Sequence, residues 1–239
     1  MVQVTSQLSL PVSIKEVETF ESYIQGQNAQ VCDYLQQLLN QFKTDTVEHW
    51  LSYLFSESEV GKSHLLYATC QQAELDNISS IYLKLERNTE LTPDVLFGLE
   101  HYSLICIDDI HELEDSREWQ VALFDLINRV KEQNTGCLIM TGNQPANQLP
   151  IQLPDLLSRL SWGINFQLIS LTDDQRQQAL IIRAEMRGMN MPKEVAKFLV
   201  NHWPRDMSSL INSLDQLDEQ SLQQQRMLTI PFVKSILDL

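Results

Sequence analysis

Trp50-Leu51-Ser52-Tyr53-Leu54-Phe55-Ser56-Glu57-Ser58-Glu59-Val60-Gly61-Lys62-Ser63 is the stretch that decides the fold. Its first six residues form a short aromatic and aliphatic run of the kind that makes a buried strand. A polar loop follows, and a helical pattern opens at Gly61. A strand, a loop and a helix beginning at Gly-Lys-Ser is the setting in which backbone N–H groups and a helix N-terminus can cradle phosphate. In that reading Lys62 contacts phosphate and Ser63 reaches a nucleotide-bound Mg²⁺. The loop departs from the GxxxxGK[ST] pattern at its first position, where Ser56 stands in place of glycine. Glu57 and Glu59 add negative charge beside any bound phosphate, which disfavours a triphosphate more than a diphosphate.

Outward from this stretch, strands and helices alternate. A helix is expected over Ala29 to Phe42, a strand over Ser80 to Leu85, a short helix over Pro93 to Leu99, and a continuous apolar strand over Ser103 to Ile107. A long amphipathic helix over Trp119 to Val130 and a strand over Cys137 to Thr141 complete the series. This alternation predicts βαβ units and therefore an α/β core with a parallel sheet flanked by helices. The third strand ends in Asp108-Asp109, which places Asp108 to support the Mg²⁺. Read as structure alone, the same pair merely closes a strand. Asn143, just past the fourth strand, can face a γ-phosphate or serve as a turn residue. From Leu171 the pattern is helical only. Thr172 and Gln175 have the form of a capping box, Pro192 opens a second helix, Arg205 to Leu217 makes a third, and Pro231 to Leu237 the last. The domains are thus an extended arm (1–19), an α/β core (20–170) and a small helical lid (171–239).

The 239 residues carry a formal charge of −15. Residues 1–170 hold 23 acidic and 9 basic side chains, and residues 171–239 hold 9 and 8. Such a balance argues against direct nucleic-acid binding, which needs cations to displace phosphate counterions. No apolar run is long enough to span a bilayer, and the first residues lack the features of a signal peptide. The four cysteines are widely spaced, so buried thiols in a reducing cytosol are expected rather than a zinc or redox pair. On the arm, Gln7-Leu8-Ser9-Leu10-Pro11 suits a preformed pocket on a partner, with Gln7, Leu8, Leu10 and Pro11 as the contacts; packing on its own domain is the bland reading. Arg159 and Arg205 read individually as ordinary surface cations.

Taken together, Gln7 to Pro11, Glu18-Thr19-Phe20-Glu21-Ser22-Tyr23, Gly61-Lys62-Ser63-His64-Leu65-Leu66, Cys106-Ile107-Asp108-Asp109-Ile110, Leu153 to Gly163 and Leu228 to Lys234 resemble the Hda branch of the DnaA family of AAA+ proteins. The resemblance runs over nearly the whole chain. It implies an AAA+ P-loop core with a helical lid, and a nucleotide site made by Phe20, Tyr23, Gly61, Lys62, Ser63, His64, Asp108, Asn143 and Arg205. Phe20 and Tyr23 would lie near the base, Asn143 at the sensor I position and Arg205 at sensor II. Arg159 would be an arginine finger acting in trans. It further implies ADP, with Mg²⁺, as the cofactor, and the initiator DnaA and the sliding clamp as partners, the arm being the clamp-binding motif. The expected activity is stimulation of ATP hydrolysis on DnaA with the DNA-loaded clamp, in the cytoplasm, with negligible ATPase activity of its own. Self-association is left open. The alternatives are a self-contained ATPase such as a helicase loader, and a clamp-tethered adaptor.

Overall fold

The computed structural model describes residues 18–43, 47–57, 60–87, 90–204, 206–224 and 226–238. Gln7, Leu8, Leu10 and Pro11, together with Glu59 and Arg205, lie outside the described residues.

Five strands form one parallel sheet: β1 (Leu51–Phe55), β2 (Ser80–Lys84), β3 (Leu104–Asp108), β4 (Cys137–Gly142) and β5 (Ile164–Gln167), in the order β2-β3-β4-β1-β5. The three central strands are buried along almost their whole length, as expected when helices cover both faces of a parallel sheet. Successive side chains of each strand serve opposite layers. Leu51, Tyr53, Ile105, Ile107, Leu138 and Met140 pack under α3 (Arg117–Gln133) and α4 (Pro154–Leu160). Leu54, Leu104, Cys106, Cys137 and Ile139 pack under α1 (Ala29–Gln41) and α2 (Lys62–Leu75). The four cysteines are buried free thiols.

The sequence pattern missed β5 and α4. The edge strand β5 has four residues that alternate between half-buried and exposed, so it carries neither the length nor the apolar continuity of the central strands. The short helix expected over Pro93 to Leu99 is instead a 3₁₀ turn, Pro93–Leu96, then a second, Leu99–His101. Gly98 at φ +82° separates them, a left-handed residue that ends any helical ladder.

The remaining helices, α5 (Asp173–Met186), α6 (Lys193–His202), α7 (Met207–Gln224) and α8 (Ile230–Leu237), enclose their own apolar cluster around Leu199, Leu214 and Phe232. Thr172 and Gln175 form the reciprocal capping box that the sequence predicts: the Thr172 hydroxyl accepts from the Gln175 backbone N–H, and the Gln175 side chain accepts from that of Thr172. Gly188 at φ +76° closes α5, with Met189 N–H donating back to Ala184 O. Among the described residues no helix is long and apolar enough to cross a membrane.

Candidate functional site

In a parallel sheet the carboxyl ends of all strands lie on one edge, where ligands of open α/β folds bind. Here that edge gathers the loop after β1, Asp108 at the end of β3 and Asn143 after β4. The register explains their proximity. Ile107 pairs with Met140, which sets Asp108 beside Thr141, and Phe55 pairs with Gly142, with Ser56 N–H continuing the ladder to Gly142 O at 3.3 Å.

Asp108 is fully buried and accepts hydrogen bonds from the Thr141 hydroxyl on one oxygen and from the Tyr82 hydroxyl, at 2.8 Å, on the other. Each oxygen retains a second lone pair, so the carboxylate can still face a hydrated cation. Asp109 adopts a left-handed conformation, φ 60°, and its N–H donates to Thr141 Oγ1 at 2.9 Å. Burial, then the neighbouring charge of Asp108, lifts its carboxyl to a pKa of about 6, against the pull of Lys62 and Lys84. Asn143 holds a buried side-chain oxygen with no hydrogen-bond partner in the protein. Because an amide can present either its oxygen or its NH₂ by rotating, that orphaned position suits a polar ligand at the strand end.

Gly61 caps α2 from the left-handed region, φ +88°. The Tyr23 ring lies against it, so closely that a Cβ there would stand 2.8 Å from Tyr23 Cε2. Tyr23 is itself fixed by donating to Val60 O at 3.3 Å and accepting from the Asn28 amide. Phe20 and Tyr23 are both buried in the apolar layer beneath α2, which places them beside the loop. Lys62 turns back over that loop, its ammonium donating to Ser56 O (3.3 Å) and Ser56 Oγ (3.1 Å). The serine that replaces glycine thus supplies a hydroxyl for the lysine. A phosphate drawing Lys62 forward competes with this contact. Ser63 follows in the first turn of α2, partly exposed.

His64 occupies a different environment. Its Nε2–H donates to Thr19 O at 2.8 Å, with Ser22 Oγ at 3.2 Å, while Nδ1 accepts from the Arg183 guanidinium at 2.8 Å. A carbonyl only accepts and a guanidinium only donates, so the tautomer is fixed. Arg183 lies on α5, and this one imidazole therefore joins the loop helix, the segment before α1 and the lid. Burial, reinforced by the Arg183 charge, holds the His64 pKa down to about 4.

A pH dependence follows from that shift. Between about pH 6.5 and 4 the unfolded chain binds a proton that folded His64 refuses, so this residue's contribution is present above pH 6.5 and is lost as pH falls toward 4. The size is on the order of 3 kcal/mol. Asp109, with its raised pKa, contributes the opposite slope over much of the same window. The measurement is therefore a difference: urea unfolding free energies of wild type minus His64→Gln should rise from pH 4 to 6.5 and level off above. A flat difference would show that His64 is not held neutral by these contacts.

Arg159, in the last turn of α4, points elsewhere. Its Nε–H donates to Asn128 Oδ1 of α3 at 2.8 Å, and its Cζ lies 3.8 Å from the centre of the Trp162 ring. Among the described residues, none of the loop around Lys62 is a partner of Arg159. The partners of Asp108 (Tyr82, Thr141), of His64 (Arg183) and of Arg159 (Asn128, Trp162) escaped the sequence reading. Only the strand register hints at Thr141.

Comparison with known proteins places these features in a family. A model described as the bacterial DnaA ATPase domain matches residues 14–167, and one described as the Hda lid domain matches residues 173–237. Domain III of the replication initiation protein DnaA from Thermotoga maritima shares the fold with a TM-score of 0.81 at 15% identity, over 95% of this chain and 98% of that one. AMPPCP-bound DnaA from Aquifex aeolicus gives 0.68 at 17% identity, over 87% and 67%. The RuvB Holliday junction branch migration motor of Thermotoga maritima gives 0.67 at 13%, over 92% and 71%. At such identities the structures speak for the fold, whereas the DnaA ATPase-domain model covers well over half of the chain. The chain accordingly belongs to the bacterial DnaA ATPase-domain family, as an AAA+ core that carries a lid of the Hda type.

Proposed function

We propose that this DnaA-related protein restrains replication initiation by supplying Arg159 to the nucleotide site of DnaA, stimulating hydrolysis of DnaA-bound ATP while tethered to the DNA-loaded sliding clamp. The observation that carries the reading is the setting of Arg159: a guanidinium held by Asn128 and Trp162, with no described residue of its own phosphate loop among its partners. An arginine so held is suited to a neighbour's phosphates. In phosphoryl transfer the protein's work is positioning and charge stabilisation, and an arginine delivered in trans can supply much of it. The arm residues Gln7, Leu8, Leu10 and Pro11 would provide the tether, and the acidic surface, which repels DNA, makes the clamp the route to it. The protein's own ATPase turnover would be negligible, and its site would hold a nucleoside diphosphate, ADP, in the cytoplasm.

The chain's own residues fit such a ligand. Gly61 and the start of α2 offer backbone N–H groups, Lys62 a cation, Asn143 an orphaned amide, and Phe20 and Tyr23 an apolar flank. Asp108 and Ser63 would face a Mg²⁺, which supplies charge neutralisation at the phosphates when bound. Among the described residues no three His, Cys, Asp or Glu side chains converge on a metal, so the ion would take its remaining ligands from phosphate and water.

The deciding experiment measures ATP hydrolysis by DnaA with and without this protein, each with and without clamp loaded on DNA. Stimulation only when both are present is the expected result. Turnover by this protein alone would favour a self-contained ATPase. A second expectation concerns affinity: calorimetry should find ADP bound more tightly than ATP. A third phosphate must enter near the field of Asp108, Asp109 and Glu112, with Lys62 already engaged by Ser56. Tighter binding of ATP would overturn it.

A further inference from the structure

We propose that Trp162 is the positioning residue for Arg159, holding its guanidinium in the orientation in which it meets a partner's triphosphate; the proposal rests on the reading of Arg159 given above. Trp162 follows α4 in the turn before β5, and its backbone N–H donates to Arg159 O at 2.9 Å, which sets the two side chains three residues apart on one face of the turn. The Arg159 Cζ is 3.8 Å from the Trp162 ring centre, and the Lys131 Nζ is 3.9 Å from the same centre. Both cationic groups thus lie within cation–π distance of this one indole.

The composition makes that convergence notable. Residues 1–170 contain 23 acidic side chains and only 9 basic ones, yet two of those nine meet on one tryptophan. A π-face that attracts both cations offsets part of their mutual repulsion. Trp162 joins none of the three apolar clusters and remains 46% exposed, so core packing does not account for it.

The other half of the platform is built on α3. Phe124, Asn128 and Lys131 recur at helical spacing along one stripe, and each touches this group: the Phe124 ring centre is 5.4 Å from the Arg159 Cζ, Asn128 accepts from its Nε–H, and Lys131 lies over the indole. With Nε–H bound and one face stacked, the guanidinium plane is fixed. Its two terminal nitrogens have no protein acceptor among the described residues, and together they form the planar fork that bridges two oxygens of a phosphate. A free arginine loses considerable side-chain entropy when it is ordered, and prior stacking means that less is lost on meeting the partner.

The proposal is tested on the full chain in two ways. In the free protein, ¹⁵N NMR of the Arg159 Nε–H should show a guanidinium with slow rotation about Nε–Cζ in wild type and in Trp162→Phe, and an averaged, faster-rotating one in Trp162→Ala. With DnaA and the DNA-loaded clamp, Trp162→Ala should lower the maximal stimulated rate by roughly 10- to 100-fold, the size of effect that misplacing a reacting group produces. The concentration for half-maximal stimulation should change little, and Trp162→Phe should retain most of the activity. Thermal unfolding of both variants near the wild-type midpoint establishes that the fold is intact. If Arg159→Ala removes stimulation while Trp162→Ala keeps it, Arg159 acts without Trp162 and this proposal is overturned alone. If Arg159→Ala keeps stimulation, the reading of Arg159 falls and this proposal with it. A half-maximal concentration that rises while the maximal rate holds would make Trp162 a docking contact instead, and that also overturns the proposal.

Discussion

Replacing Arg159 with alanine is expected to abolish stimulation of ATP hydrolysis on DnaA while leaving the protein folded and still bound to clamp and nucleotide. The size of the effect comes from the chemistry. As the terminal phosphoryl group transfers, charge develops on its oxygens, and an arginine brought to it in trans can be worth roughly 10³ to 10⁵ in rate. The stability effect is small by comparison. The variant loses one hydrogen bond to Asn128 and a stacked contact on a half-exposed tryptophan, each worth about 1 kcal/mol. Lysine should rescue poorly, because its ammonium is a point charge and cannot bridge two oxygens in a plane. Near-normal stimulation by Arg159→Ala would leave the clamp-tethered adaptor as the better reading, and loss of clamp binding would mark the residue as structural.

The second large effect is expected from Gly61→Ala, which should weaken nucleotide binding beyond detection and lower the melting temperature by roughly 5–20 °C. Two costs combine. A side chain at φ +88° is held in the left-handed region at about 1–2 kcal/mol. Its Cβ would also meet Tyr23 Cε2 at 2.8 Å, and that ring cannot swing aside freely because its hydroxyl is tied to Val60 O and Asn28. Overpacking of this kind costs about 1–3 kcal/mol. Displacing Tyr23 would disturb the loop that is to cradle phosphate, so binding and stability should fall together. Introducing Gly61→Ala into a Tyr23→Ala background separates the two costs: a smaller but still measurable fall in melting temperature than in the wild-type background would show both at work, and no fall at all would show that the backbone conformation costs nothing here.

How much of this was legible beforehand differs between fold and site. The apolar runs at Leu51, Ser80, Leu104 and Cys137 identified four of the five strands, because a strand buried on both faces must be apolar throughout. The edge strand at Ile164 and the helix at Pro154 were lost to their brevity. In the site, Asp108 stood out by its position at a strand end and Gly-Lys-Ser by its place where a loop opens a helix. Ser56 read as a departure from pattern, whereas its hydroxyl holds Lys62. His64 read as one more nucleotide contact, and the structure gives both its ring nitrogens protein partners on the lid and the N-terminal segment.

By itself, then, the sequence determined the alternation of strands and helices, the parallel sheet, the change to a helical bundle near residue 170 and the residues at the carboxyl ends of the strands. All of these follow from local periodicity and from side chains close to one another in the chain. Tertiary structure alone decided which distant groups meet. It brought Thr141 and Tyr82 to Asp108, Arg183 to His64 across well over a hundred residues, Asn128 to Arg159 and Lys131 to Trp162. The physical reason is that hydrogen bonding, charge and ring stacking act over a few ångströms in space, and strand register and helix packing, which set those distances, are fixed only when the whole core closes.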